Sequence, residues 1–373
     1  MRHSFLEKIH CPLTGNALQV EVIEAGVDAE GQTAVRTGIL WSEPGRFWYP
    51  IINHVPILLT FETPLASAFA RDYAERIAKL SGRPKPPNGS PEPGERSVQT
   101  TFTEEWGGLE DDALTFVYDE SELLALHRDV WIQQAEAERS AQRIVLDVGC
   151  GFGKEAIVLS KLYQNAVVIG ADLNFALVKA GRSLVESTRV NPVVASLFHL
   201  PFQSGSVDHV HCKGVLHHTW STKAGFDAIA DKVAPSGSLF VWVYATEDRY
   251  VLKGFRGFLT RAYWGISHRI FRPLLSRAPR PVRTAAIHLI SSMMHPIIKN
   301  RGRNRGRWTY ANTVHGIRDA FTPRYAHEHG FNEVLEWFDS AGFCPKPQRP
   351  LTYRELFGSR LVGVGFIGRR SAR

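Results

Sequence analysis

Cysteine is scarce: Cys11, Cys150, Cys212 and Cys344 are the only four in 373 residues, and no two form a C-x-x-C pair. That spacing argues against the disulfide framework of a small secreted domain and against a self-contained zinc site. Long apolar runs are also missing. No uncharged apolar run reaches the roughly 18 residues a spanning helix needs, and Met1 to His10 lacks the apolar core of a secretion signal. The expected compartment is the cytoplasm. Acid is absent from one stretch: residues 249–310 hold fourteen Lys or Arg and no Asp or Glu. The rest of the chain then carries 30 basic against 37 acidic residues, so the net +7 belongs to that segment alone.

What is present is concentrated at Arg143-Ile-Val-Leu-Asp-Val-Gly-Cys-Gly-Phe-Gly-Lys154, followed by Val167-Val-Ile-Gly-Ala-Asp-Leu-Asn174. An apolar run ends in an acid and three alternating glycines, and a second apolar run ends in Asp172. The pattern predicts strand, tight turn, helix and second strand, with a carboxylate at the second strand's tip for ribose hydroxyls. Lys154 stands where a dinucleotide G-x-G-x-x-G needs its third glycine. Val148 and Glu155 stand where a phosphate loop needs glycine and Ser or Thr. Asp147 before the turn suits a cationic ligand better than a pyrophosphate.

Leu146 to Gly153 resembles the first motif of class I S-adenosylmethionine (SAM)-dependent methyltransferases. The resemblance implies an α/β, Rossmann-like seven-stranded sheet over residues 143–373, with SAM as cofactor. Strands are expected near 144–148, 167–172, 193–197, 207–212 and 238–244, then a closing pair near 343–347 and 361–368, the last one antiparallel. It further implies that Asp147 and the turn of Gly149, Gly151 and Gly153 face the methionine end. Asp172 then takes both ribose hydroxyls, which one carboxylate can do, and Leu173 and Asn174 flank the nucleoside. Ser196 or Leu197 stands where the family often has an acid for the adenine amino group. Ser206 to Thr219 resembles the fourth-strand motif, which makes Lys213, Gly214 and Val215 cofactor-side candidates. His217 and His218 are candidate general bases toward a hydroxyl, since imidazole titrates near neutrality. The competing reading is that a histidine here caps the next helix or touches cofactor. No Asn/Asp-Pro-Pro-Tyr segment follows the fourth strand, which counts against exocyclic amines and glutamine amides as acceptors.

Residues 1–62 read as a small β module with turns at Gly15, Gly31 and Pro44-Gly45. Cys11 to Leu18 and Trp48 to Leu58 resemble the zinc-ribbon family that includes the activator subunit of several methyltransferases. Thr14 occupies the place of the second cysteine of its C-P-x-C pair, so the reading is a ribbon without metal that docks or covers. Residues 63–142 form a helical connection: a helix over 63–80, a Pro-rich mobile linker over 81–97, and a stretch, Thr101 to Trp106, that is either a lid on the cofactor or a packing helix.

The acid-free insertion, 249–310, alternates aromatic and aliphatic residues with arginine. Three readings stay open. It caps an apolar or anionic substrate, resting on anionic lipid; or binds RNA; or packs as a helical or dimer element. Ala320 to Phe338 resembles a segment of methyltransferases found in bacterial surface-glycan and secondary-metabolite settings, which makes Arg324, Tyr325, His327 and His329 polar acceptor candidates. The functional expectation is methyl transfer to a small-molecule, lipid or glycan-precursor acceptor by a cytoplasmic enzyme, peripheral to the inner membrane face in the lipid reading. The alternatives are an RNA methyltransferase and an inactive SAM-binding partner protein. No metal ligand set is read, and oligomeric state is left open.

Overall fold

The computed structural model describes residues 1–43, 45–107, 118–141, 143–246, 258, 265–300 and 305–371. Within them lie β1 (Leu18–Val27), β2 (Thr33–Ser42), β3 (Trp48–Ile52), β4 (Val55–Leu58), β5 (Ile144–Val148), β6 (Val167–Asp172), β7 (Val190–Ala195), β8 (Val207–Lys213), β9 (Val233–Val243), β10 (Phe343–Pro347) and β11 (Val364–Arg370). They form one sheet in the order β1-β2-β3-β4-β7-β6-β5-β8-β9-β11-β10.

The middle five, β7 to β9, are parallel, as strands joined through helices must be. β11 lies antiparallel on β9, and β10 antiparallel on β11. This is the seven-stranded sheet expected from the glycine-turn motif. Both faces are covered, so the central strands are mostly apolar, with Asp147, Asn191, His209 and His211 among the exceptions. Leu146, Ile169 and Val193 feed one core cluster, while their neighbours Val145, Val168 and Val194 feed the other. The alternation follows from the period-two pleat.

The N-terminal β module continues this sheet. β4 pairs in parallel with β7, Ile57 opposite Val194 and Leu58 opposite Ala195. Cys11 is buried with its sulfur 3.2 Å from the Tyr49 hydroxyl. The proline-rich stretch expected as a mobile linker is held down. Lys85 donates to the Arg46 carbonyl at 2.9 Å and accepts from the Trp48 N–H at 3.0 Å, and the Gly89 N–H donates to the Thr60 carbonyl at 2.8 Å. Extended, proline-biased backbone lies readily along a strand edge in this way. The expected helix over 63–80 forms as two pieces, Pro64–Asp72 and Ala74–Lys79, broken at Tyr73 (φ −121°).

The insertion is helical where described: a π-helical turn Ser267–Phe271, then helices Arg272–Arg277 and Arg280–Ile298. The last packs through Ile287 against Ile317 and Phe321 of the helix Tyr310–Phe321. Residues 249–257, 259–264 and 301–304 of the insertion, part of the expected alternation of aromatic residues with arginine, lie outside the described residues.

Candidate active site

β5 ends in the turn that starts the helix Lys154–Leu162. Gly149 has φ +79°, and a Cβ there would sit 2.1 Å from Val215 Cγ2. A Cβ on Gly151 (φ +63°) would lie 2.9 Å from the Trp106 indole. Glycine at both positions lets the turn pass close beneath these side chains. Asp172, at the end of β6, accepts the Gly151 N–H at 2.7 Å and the Asn174 N–H at 2.8 Å. One carboxylate thus ties the turn to the second strand and retains lone pairs for a ligand. Burial lifts Asp172 to about 6, against the pull of those N–H donors.

The turn opens on a cavity of about 420 Å³. Of the residues expected at the cofactor, Asp147, Gly149, Asp172, Leu173, Leu197 and Lys213 line it. Gly151 and Gly153 shape the turn from behind. Ser196 is buried, and its hydroxyl caps the turn Leu197–His199 by accepting the Phe198 N–H at 3.2 Å. Asp147 is 2% exposed, its Oδ2 has no hydrogen-bond partner, and burial together with Glu155 holds its carboxyl well above the usual range. A buried carboxyl left in this state asks for a donor or cation from the cavity. Against burial, Lys213, which pairs with Glu155 Oε1, and the imidazoles of His127 and His211 keep Glu155 well below the usual range.

The other side of the cavity is built from more distant parts of the chain. The helix Glu95–Gly107 lines it with Gln99, Phe102, Glu105 and Trp106. It is fastened over β6 by the Gln99 side chain, which donates to the Leu173 carbonyl at 2.9 Å, and by Thr103, which accepts the Phe175 N–H at 3.0 Å. Between lid and packing helix, the cavity lining favours the lid.

His218 lines the cavity, and His217 does not. His217 is fully buried, stacked 3.8 Å from the Tyr244 ring, and burial with the neighbouring His218 drives it well below the usual histidine range. His218 Nδ1 lies 2.8 Å from the Tyr325 carbonyl. A carbonyl only accepts, so Nδ1 carries the proton and Nε2 is the basic atom. Nε2 is 3.4 Å from Asp319 Oδ1, while the Tyr244 hydroxyl donates to Asp319 Oδ2 at 2.6 Å. Despite burial, His218 when protonated at Nε2, and the Tyr244 hydroxyl, lower the Asp319 carboxyl.

Asp319, Tyr244, Glu105 and His315 were missed by the sequence reading. Glu105 is buried, with Oε2 unpartnered, and burial raises its carboxyl well above the usual range, with Asp319 adding to the effect. The His315–Asp319 spacing on one helix face was the available signal. Arg324, Tyr325 and His327, expected at the acceptor, do not line the cavity. Arg324 lies over the Tyr325 ring at 5.6 Å, the Tyr325 hydroxyl donates to the Pro93 carbonyl at 3.2 Å, and His327 Nε2 bonds the Thr219 carbonyl at 3.0 Å. The segment braces His218 from behind.

Residues 145–237 match the family model described as a methyltransferase domain. A malonyl-[acyl-carrier protein] O-methyltransferase of Legionella pneumophila is 37% identical over 86 residues, 23% of this chain and 30% of its own. A ubiquinone biosynthesis O-methyltransferase of Xanthomonas campestris pv. campestris is 39% identical over 100 residues, 26% of this chain and 41% of its own. The chain spans between 26% and 53% of the length of the curated relatives it matches. The structure of magnesium protoporphyrin IX methyltransferase from Synechocystis PCC 6803 with bound SAM aligns over 76% of this chain and 100% of its own, at 13% identity and a TM-score of 0.39. The strand order and the domain match make the core a Rossmann-like methyltransferase fold.

Proposed function

We propose that the chain transfers a methyl group from SAM to a hydroxyl of a small amphiphilic acceptor. The observation that carries this is His218. Its Nδ1 proton is committed to a backbone carbonyl, and its basic Nε2 stands beside Asp319, in the same cavity as the glycine turn and Asp172.

The residues present fit the cofactor. Asp147 offers an orphaned carboxyl for a cationic group, the turn gives close backbone approach, and Asp172 has acceptor capacity for paired hydroxyls. When bound, the cofactor supplies a methyl group made electrophilic by its sulfonium. The chain's own work is positioning and proton removal. His218 Nε2 takes the acceptor's hydroxyl proton, Tyr325 holds the ring, and Asp319 stabilises the imidazolium so formed. Trp106, Phe102 and the helix that carries them exclude water. The O-methyltransferase names of the two relatives support an oxygen acceptor.

The insertion supports a lipid-borne acceptor. On the helix Arg280–Ile298, Val282, Leu289, Met293 and Ile297 form one stripe by spacing, and each is more than half exposed. Exposed Arg269, Arg277, Arg280 and Lys299 surround it in a segment without acid. An apolar stripe among cations suits an anionic membrane surface. Within this reading the N-terminal module is a metal-free, ribbon-like element that covers the sheet edge beside β7.

The test is incubation of the purified chain with methyl-labelled SAM and lipid extract, followed by mass analysis of the labelled product. Ether-linked label dependent on His218 supports the assignment, and a methyl ester overturns it. Label on nitrogen, or on added RNA, overturns it.

A further inference from the structure

Behind the cavity wall, His127, Glu155 and His211 bring one ligand atom each to within 4.8 Å of one another. They come from three elements: the π-helical turn Leu126–Ile132, the first turn of the helix after the glycine turn, and the middle of β8. Both imidazoles are fully buried, and Glu155 alone of the three lines the cavity.

His127 Nδ1 lies 2.8 Å from the Leu123 carbonyl, so that nitrogen carries the proton and Nε2 presents a lone pair. That lone pair faces Glu155 Oε2 at 3.5 Å, and His211 Nε2 faces the same oxygen at 3.6 Å. Neither Nε2 has a hydrogen-bond partner among the described residues. Both separations are too long for a charge-assisted N–H···O bond, which runs at ~2.7–2.9 Å. They are too short for a bridging water, which holds two acceptors about 4.4 Å apart at ordinary hydrogen-bond lengths. They match the edge of a tetrahedron around an ion with bonds near 2.1 Å, roughly 3.4 Å.

One proton settles a single imidazole–carboxylate edge. His211, whose Nδ1 has no partner among the described residues, can turn an Nε2–H to Glu155 Oε2 while neutral. His127, whose proton is held by the Leu123 carbonyl, could donate to it only as a further buried cation beside Lys213. A single shared cation satisfies both edges. The His127 ring is also oriented as metal-ligating histidines are, with its other nitrogen on a backbone carbonyl.

We propose that His127, Glu155 and His211 form a site for one divalent transition cation of the zinc type. Two imidazoles and a carboxylate are a ligand set suited to it. The ligands stand 28 and 56 residues apart in the sequence, which is why no compact spacing reveals them. Bound there, the ion fixes the π-helical turn, and with it Trp131 on the cavity wall, against Glu155. The site does not depend on the transfer reaction proposed above, and its test uses no turnover.

Untagged protein is dialysed against chelator and titrated with Co2+, then Zn2+. The expected result is one Co2+ per chain with the intense visible bands of a tetrahedral site, displaced by one equivalent of Zn2+. His127→Gln and His211→Gln should each lose those bands and weaken Zn2+ binding at least tenfold. Since a buried glutamine can loosen the turn, the wild type carries a second readout: one equivalent of Zn2+ should raise its thermal midpoint, and Mg2+ should not. Absence of saturable Co2+ bands, variants that bind as the wild type does, or a midpoint indifferent to Zn2+ overturns the site.

Discussion

Asp172 offers the sharpest test of the cofactor half. The carboxyl titrates at about 6 instead of 3.8 because burial penalises the anion more than the Asn174 and Gly151 N–H groups reward it. The gap corresponds to ~3 kcal/mol in favour of the neutral form. The sign follows from linkage: the raised value contributes stability that is full below 3.8 and lost as the pH rises through about 6. The ligand-free protein therefore carries an ionised, costly Asp172 at neutral pH, and a ligand donating two hydroxyls relieves that cost. Affinity for SAM should be level above about pH 7 and fall toward tenfold per pH unit below about 6.

Asp172→Asn removes the charge and one acceptor. A hydrogen bond to a charged group is worth ~1.5–3 kcal/mol, so SAM affinity should drop roughly 10- to 150-fold. Stability should hardly suffer. The variant leaves one backbone N–H unpaired, at ~1–3 kcal/mol, against the ~3 kcal/mol of desolvation it relieves. Its thermal midpoint at about pH 8 should match or exceed that of the wild type. Calorimetry across pH on both proteins separates this effect from Asp147, whose own pH dependence persists in the variant. An Asn variant binding within threefold of wild type, or a pH profile unchanged by the substitution, refutes the assignment.

Three further outcomes are expected. Gly149→Ala places a methyl 2.1 Å from Val215 Cγ2 at φ +79°; it should cost ~1–3 kcal/mol in thermal unfolding and abolish SAM binding by calorimetry. His218→Ala should lower kcat by roughly 10²- to 10⁴-fold with SAM affinity unchanged, and Asp319→Asn by less, in labelled-methyl assays; equal activity in either removes the proposed base. The chain should float with anionic vesicles, less so as salt rises, and Leu289→Glu with Met293→Glu should abolish flotation without changing the thermal midpoint.

The cofactor half was legible because its requirements are local. A turn that passes under Val215 and Trp106 needs glycine, and a carboxylate at a strand tip stands beside the turn it serves. The proposed acceptor half was not, because its parts meet only in space. His218 and Asp319 are 101 residues apart, and the group that sets the histidine's proton is the backbone carbonyl of Tyr325, which has no sequence signature. Arg324, Tyr325 and His327 drew notice as polar residues near the right place, yet their side chains are occupied with Pro93, Thr219 and one another. The N-terminal strands were legible as strands. Their continuity with the large sheet was not, since β4 is four residues long and buried on both faces, without an alternation to mark its partner.

The two helices over the cavity are linked in a way that bears on how an acceptor enters. Glu104, on the helix Glu95–Gly107, accepts from Arg283 of the insertion at 2.6 Å, and its carbonyl accepts from Arg318 of the helix Tyr310–Phe321 at 2.8 Å. Both members of the Glu104–Arg283 pair are largely shielded, with side chains 15% and 11% exposed. Removing one would leave the other charge stranded, so the pair resists separation far more than a surface ion pair does. Trp106, two residues on from Glu104, rests on Gly151 and lies 4.9 Å from the His315 ring. The glycine turn, the lid and the exposed apolar stripe are therefore joined through short contacts. The proposed membrane contact at Leu289 and Met293 would therefore reach, through Arg283 and Glu104, the helix that lines the cavity.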